Sequence, residues 1–251
     1  MITIKSRREI ELMRRAGKIT AAARALAGNM VMPGVTTKEI DEAVYQFITA
    51  QGAIPAFLNY NGFPASICAS VNDEVIHGIP SGRVLRDGDI VSIDVGAVMD
   101  GYVGDCAATF IAGNGKKNAE SLIEVTRQSF FEGIKFAREG YRVSDISHAI
   151  QTYVESFGYS IVREFVGHGI GAQMHEPPEV PNYGQPGHGA RLVRGMTIAI
   201  EPMVNEKSAK IFIKDDGWTV TTADGSLSAH YENTVLITES EPEILTIFED
   251  V

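Results

Sequence analysis

Apolar residues recur at helical spacing in two long stretches, Arg7–Met30 and residues 118–138, and each is followed by a shorter amphipathic segment. The shorter segments match at a fixed offset of 106 positions. Ile40, Ala43, Val44, Phe47, Ile48 and Gly52 stand where Ile146, Ala149, Ile150, Tyr153, Val154 and Gly158 recur. Thr36 and Glu39 have capping-box spacing, and each glycine falls where a helix should stop. Two amphipathic helices can match by chance, but the strand-rich stretches 65–112 and 193–237 follow each copy in the same order. The chain therefore reads twice as helix, helix, strands. The expectation is an α/β (α+β) fold in one domain, residues 1–251, with pseudo-twofold halves at about 1–115 and 116–251 and helices packed on a single merged sheet.

One hairpin breaks its own pattern. The run Ile90-Val91-Ser92-Ile93-Asp94-Val95-Gly96 returns through Val103-Gly104-Asp105-Cys106-Ala107. If Asp100 and Gly101 are the central residues of a two-residue turn, Met99 faces Tyr102 and Asp94 faces Ala107. Asp105 then shares a face with Asp94 as its diagonal neighbour. Two like charges about 4 Å apart repel by about 4 kcal/mol at an effective dielectric near 20. Each buried ion also loses several kcal/mol of hydration. A cation is expected between them.

Three further polar residues sit at strand ends or tight turns: His168 in Gly167-His168-Gly169-Ile170-Gly171, Glu201 in Ile200-Glu201-Pro202, and Glu232 in Tyr231-Glu232-Asn233-Thr234. Singly, each carboxylate reads as a solvated strand end and His168 as a surface-loop histidine. Together, two Asp, two Glu and one His carry four negative charges, which two divalent cations would neutralise. Oxygen-rich ligation with one imidazole suits Mn(II), Fe(II), Co(II) or Zn(II). Paired ions of this kind clamp hydrolytic transition states, so hydrolysis is the expected chemistry.

Composition narrows the alternatives without adding to them. With 44% hydrophobic and 22% charged residues, the chain is neither disordered nor repetitive. A formal charge of -10 argues against nucleic-acid binding, so no DNA partner is expected. No stretch is apolar enough to span a bilayer, and Met1-Ile2-Thr3-Ile4-Lys5 runs into Arg7-Arg8-Glu9 without a signal core, so a cytoplasmic protein is expected. Cys68 and Cys106 read as two reduced thiols.

In order and spacing, these motifs resemble the methionine aminopeptidase family, specifically the short bacterial type I form with the pita-bread fold. The resemblance covers nearly the whole chain. It rests on Ser92-Ile93-Asp94-Val95-Gly96, Gly101-Tyr102-Val103-Gly104-Asp105 and the His168, Glu201 and Glu232 motifs. It implies that Asp94 and Asp105 bind one metal, that Asp105 and Glu232 bridge to a second, and that His168 and Glu201 complete the second. An activated water would attack the first peptide carbonyl, with Glu201 managing its proton. His77 would contact the substrate backbone, and His175 would hydrogen-bond the scissile amide. Taken alone, both read as loop histidines. His148, His188 and His230 are read as ordinary histidines with no site role.

The same resemblance assigns the methionine pocket to Tyr60, Phe63, Cys68 and Trp218, with Phe57 and Met174 alongside. Without it, this aromatic set reads as core packing. Phe57 stands where many relatives carry cysteine, Phe63 where tyrosine is common, and Met174 where phenylalanine is common. All remain apolar, so methionine preference is expected to persist. The implied activity is removal of initiator methionine before a small second residue. The implied substrates are the N-termini of nascent proteins, met near the ribosomal exit tunnel by a monomer. Lys116-Lys117 and the Arg191 to Arg194 loop are the basic groups on offer for such docking, and a solvated turn explains both equally well.

Three rival readings fit the sequence less well. Proline-specific relatives of the same fold usually carry an extra N-terminal domain, whereas this chain begins at the catalytic half. A type II enzyme needs a long insertion between the glutamates, but Glu201 and Glu232 are 31 residues apart. A non-catalytic binding protein on the same scaffold would have lost ligands, and none of the five is missing.

Overall fold

The computed structural model describes residues 1–248. Its helices are α1 (Arg7–Met30), α2 (Thr37–Ala50), α3 (Lys117–Ile134) and α4 (Val143–Ser156). Reciprocal caps open the first two. The Ser6 N–H donates to Glu9 Oε2 at 2.7 Å, and the Thr36 N–H donates to Glu39 Oε2 at 2.7 Å, while each serine or threonine oxygen accepts from the N3 amide. The helical repeat keeps its register: Thr37 and Val143 open α2 and α4, Ala50 and Ser156 close them, and both pairs are 106 apart. α3 stops four residues before the expected Arg138. The Phe136 and Ala137 amides turn back to the Gly133 and Ile134 carbonyls, which tightens the chain into a turn instead of another helical round.

Each helix pair covers its own core. Ile40, Val44 and Ile48 of α2 pack with Ile67, Val91, Ile93 and Val95, while Ile146, Ile150 and Phe130 pack with Ile198, Val204 and Val235. The hairpin Ile90–Met99 and Tyr102–Ile111 turns at Asp100 and Gly101, both at positive φ (51° and 81°), as a tight twisted turn requires. Its register pairs Met99 with Tyr102, Asp94 with Ala107 and Gly96 with Asp105, as the sequence pattern implies.

The strands do not merge into one sheet. They form four, with four, three, three and five strands, and every pairing between the described strands is antiparallel. The two halves meet along a seam of three reciprocal contacts. Asp105 exchanges hydrogen bonds with the Thr234 hydroxyl (3.1 and 2.9 Å), Ala107 with the Glu232 backbone (3.2 and 2.9 Å), and the Thr109 hydroxyl with the His230 backbone (2.9 Å each way). At two of the three positions a threonine hydroxyl stands in for a backbone partner, so the strands touch without a continuous ladder. From α1, the Arg24 guanidinium donates to the Ala107 and Glu232 carbonyls and to Asn233 Oδ1, bracing the seam. Among the described residues no helix is long and apolar enough to cross a membrane.

Candidate metal centre and pocket

The seam brings carboxylates from both halves to one place. Asp94 lies mid-strand, opposite Ala107 on one side and Cys68 on the other, and Asp105 lies one diagonal step away on the neighbouring strand. Glu201 immediately follows the strand Thr197–Ile200, and Glu232 immediately precedes Asn233–Leu236. Those two strands pair, with Ile200 opposite Asn233, so both glutamates emerge at the same end.

His168 is not in a surface turn. It occupies the short strand Gly167–Gly169 inside the five-stranded sheet and is 8% exposed. Side chains at its neighbours would not fit: a Cβ on Gly167 would sit 2.4 Å from the Ala199 carbonyl oxygen, and one on Gly169 would sit 2.3 Å from that of Pro177. Its Nδ1–H donates to the Gly169 carbonyl at 2.9 Å, because a carbonyl can only accept. That leaves the Nε2 lone pair facing the carboxylates, 3.5 Å from Glu201 Oε1 and 3.9 Å from Asp105 Oδ2.

The electrostatics of the cluster are unfavourable for the protein alone. Burial raises the Asp94 carboxyl to about 7. Burial and then the Asp94 charge hold Asp105 and Glu201 well above the ordinary range, and burial followed by Asp105 does the same to Glu232. Burial lowers His168 to about 4, with a smaller contribution from His175, keeping its imidazole neutral. Asp94 Oδ1, Asp105 Oδ1, Glu232 Oε1 and His230 Nε2 are all buried without a hydrogen-bond partner among the described residues. Ligand atoms of Asp105, His168 and Glu232 lie within 4.8 Å of one another, and so do those of Asp94, His230 and Glu232. Glu232 belongs to both groups. An orphaned, oxygen-rich set with one carboxylate common to both groups fits divalent cations.

Above the cluster lies a cavity of about 230 Å³. That is below the ~300 Å³ usual for drug-sized ligands and suits a single side chain. Its walls include all eight residues expected from the sequence: Phe57, Tyr60, Phe63, Cys68, His77, Met174, His175 and Trp218. Phe63 meets Trp218 edge to face at 5.2 Å. Gly96 makes room for the wall, since a Cβ there would lie 2.7 Å from the Phe57 ring and 3.1 Å from the Met174 methyl. His77 sits at φ 57° in the turn after the strand Glu74–Ile76, and burial lowers it to about 4. His175 stands at the mouth with its ring 4.3 Å from His168, and its Nδ1 lies 2.7 Å from the Tyr60 hydroxyl. The next residue, Glu176, is tied by a buried ion pair to Lys5 at 2.6 Å, which fixes the end of the loop.

Two features escaped the sequence reading. Phe165 joins the wall, edge-on to His77 at 5.6 Å; its place three residues before His168 was the available signal. His230, read as an ordinary histidine, is 2% exposed and points into the carboxylate cluster. It precedes Glu232 by two residues, the spacing that places side chains on one face of an extended strand.

The family model for metallopeptidase family M24 matches residues 11–239. The methionine aminopeptidase of Clostridium acetobutylicum is 56% identical over 250 residues, covering 99% of this chain and 100% of the relative. The crystal structure of methionine aminopeptidase from Thermotoga maritima superposes with a TM-score of 0.97 at 46% identity, over 99% of this chain and 100% of that one. Prolidase from Pyrococcus furiosus, 23% identical, superposes at 0.77 over 98% of this chain and 66% of its own length, a likeness of fold. A carboxylate and imidazole cluster fit for divalent ions, the shared pita-bread fold and a family match across most of the sequence agree: the chain belongs to metallopeptidase family M24.

Proposed function

We propose that this chain removes N-terminal methionine from newly made proteins by hydrolysing the first peptide bond, with preference for a small second residue. The observation that carries this is the position of the cluster: the carboxylates and His168 form the floor of an apolar, single-side-chain cavity. Asp94 and Asp105 would hold one ion, His168 and Glu201 the second, with Asp105 and Glu232 shared. Two bound divalent ions supply Lewis acidity and lower the pKa of water. Mn(II), Fe(II), Co(II) and Zn(II) all suit the donor set.

The remaining steps belong to the protein. The flexible thioether of methionine fills the cavity between Phe57, Tyr60, Phe63, Cys68, Met174 and Trp218. Glu201 takes the proton of the attacking water at its carboxylate and passes it to the leaving amine. His175 Nδ1 lies 2.7 Å from the Tyr60 hydroxyl; in the tautomer whose Nδ1 accepts from that hydroxyl, Nε2 carries the proton and donates to the scissile amide. His77, set by its left-handed backbone, faces the substrate main chain. We read the chain as one catalytic domain acting as a cytoplasmic monomer.

The test is release of free methionine from Met-Ala-Ser and Met-Lys-Ser by metal-stripped protein, with and without Mn(II), Fe(II) or Co(II). Metal-dependent cleavage of the first peptide alone is the expected result. No cleavage with any ion by folded protein would overturn the reading, and Xaa-Pro peptides would be tried next.

A further inference from the structure

His230 has no role in the ligand scheme above, yet no histidine in the chain is more deeply enclosed, at 2% exposure. Its main chain cannot turn away: the N–H and C=O are both held by the Thr109 hydroxyl, and His230 pairs with Met203 across the strand. The imidazole is therefore committed to the cluster. Its Nε2 lies 3.7 Å from Glu232 Oε2 and 4.0 Å from Glu201 Oε2, and it has no other partner among the described residues.

Those separations are too long for hydrogen bonds. They are short enough that a small rotation of either carboxylate would close one. Interiors rarely tolerate a polar nitrogen buried with nothing to pair, and such an atom calls for an explanation. The two glutamates that face it are the ones that must be aimed at ions.

We propose that His230 is a positioning residue for the metal centre: its Nε2–H donates to the Glu232 carboxylate, with Glu201 alongside, and holds the shared ligand in its binding orientation. This rests on the two-ion reading above. Groups that orient metal ligands change affinity by 10- to 100-fold when lost. A residue that merely filled space would be replaceable by any side chain of similar volume.

The experiment compares His230→Leu, which keeps the bulk and removes the donor, with His230→Gln, which restores an N–H donor. Mn(II) binding to metal-stripped protein is followed by electron paramagnetic resonance. The expected result is at least tenfold weaker binding by the leucine variant and binding within about threefold of the parent by the glutamine variant. Leucine binding as tightly as the parent, or glutamine losing as much as leucine, would overturn the proposal. A second measurement needs no variant: ¹⁵N chemical shifts of the histidines in the Zn(II)-loaded parent should show His230 protonated at Nε2, and an unprotonated Nε2 would overturn the assignment. Neither readout uses peptide turnover, so failure here is distinct from failure to release methionine.

Discussion

Asp105 and Thr234 grip each other from both directions: the Asp105 amide donates to the Thr234 hydroxyl at 3.1 Å, and that hydroxyl donates to the Asp105 carbonyl at 2.9 Å. Thr234 is fully buried. One hydroxyl thus satisfies both backbone groups of a candidate metal ligand and fixes its height against the opposite half.

Thr234→Val keeps the shape and removes both bonds. Leaving a buried amide and a buried carbonyl unpaired costs about 1 to 3 kcal/mol for each group. Urea unfolding should show a loss on that scale, with Mn(II) affinity reduced as well. Unchanged stability would show that the seam tolerates a missing contact.

The pocket wall makes a separate claim. Gly96→Ala would push the Phe57 ring and the Met174 methyl into the space for the substrate side chain. One methylene of mismatch in an apolar pocket is worth roughly 10- to 200-fold in specificity. KM for Met-Ala-Ser should rise by about tenfold or more while Mn(II) binding stays unchanged.

His175→Ala addresses the chemistry at the mouth of the site. Loss of one preorganised donor costs about 2.7 to 4 kcal/mol of transition-state stabilisation, so kcat should fall by about 10²- to 10³-fold with metal content intact. Tyr60→Phe should lower kcat in the same direction but by less, because His175 keeps its nitrogen and loses only its anchor. An unaltered rate in His175→Ala would remove its assigned role.

Acid stability can be read at Glu9, in the first turn of α1. Hydrogen bonds from the Ser6 hydroxyl, the Ser6 amide and the Tyr102 hydroxyl lower its carboxyl from 4.5 to about 2. Because the folded value is depressed, the contribution is fully present above about 4.5 and fades as pH falls toward about 2. Glu9→Gln should therefore melt below the parent at pH 6, and the gap should narrow as pH is lowered through that window. A gap independent of pH would mean that the carboxylate charge is not what caps α1.

Local rules made much of this structure legible. A two-residue turn fixes every pairing outward from it, so the facing of Asp94 and Asp105 followed from Asp100 and Gly101 alone. Capping chemistry and the 106-residue offset located α2 and α4. What local rules could not reach was the seam. Contacts between residues 105–109 and 230–234 span about half the chain, and nothing in either segment names the other. For the same reason the sequence pattern merges the strands into one sheet, places His168 in a surface turn rather than a buried strand, and leaves His230 looking ordinary. The pocket aromatics were legible only through family resemblance, since by composition they are indistinguishable from core.

The reach of Arg24 across that seam sets an order of events during synthesis. Asp94 and Asp105 share a hairpin that can close as soon as the first half has been made. The Arg24 guanidinium then waits with one acceptor, the Ala107 carbonyl, until Glu232 and Asn233 arrive some 208 residues after it. Closing so long a loop is slow compared with forming a hairpin. A half-made chain holds only two of the five candidate ligands, Asp94 and Asp105, and the other three, His168, Glu201 and Glu232, arrive with the second half.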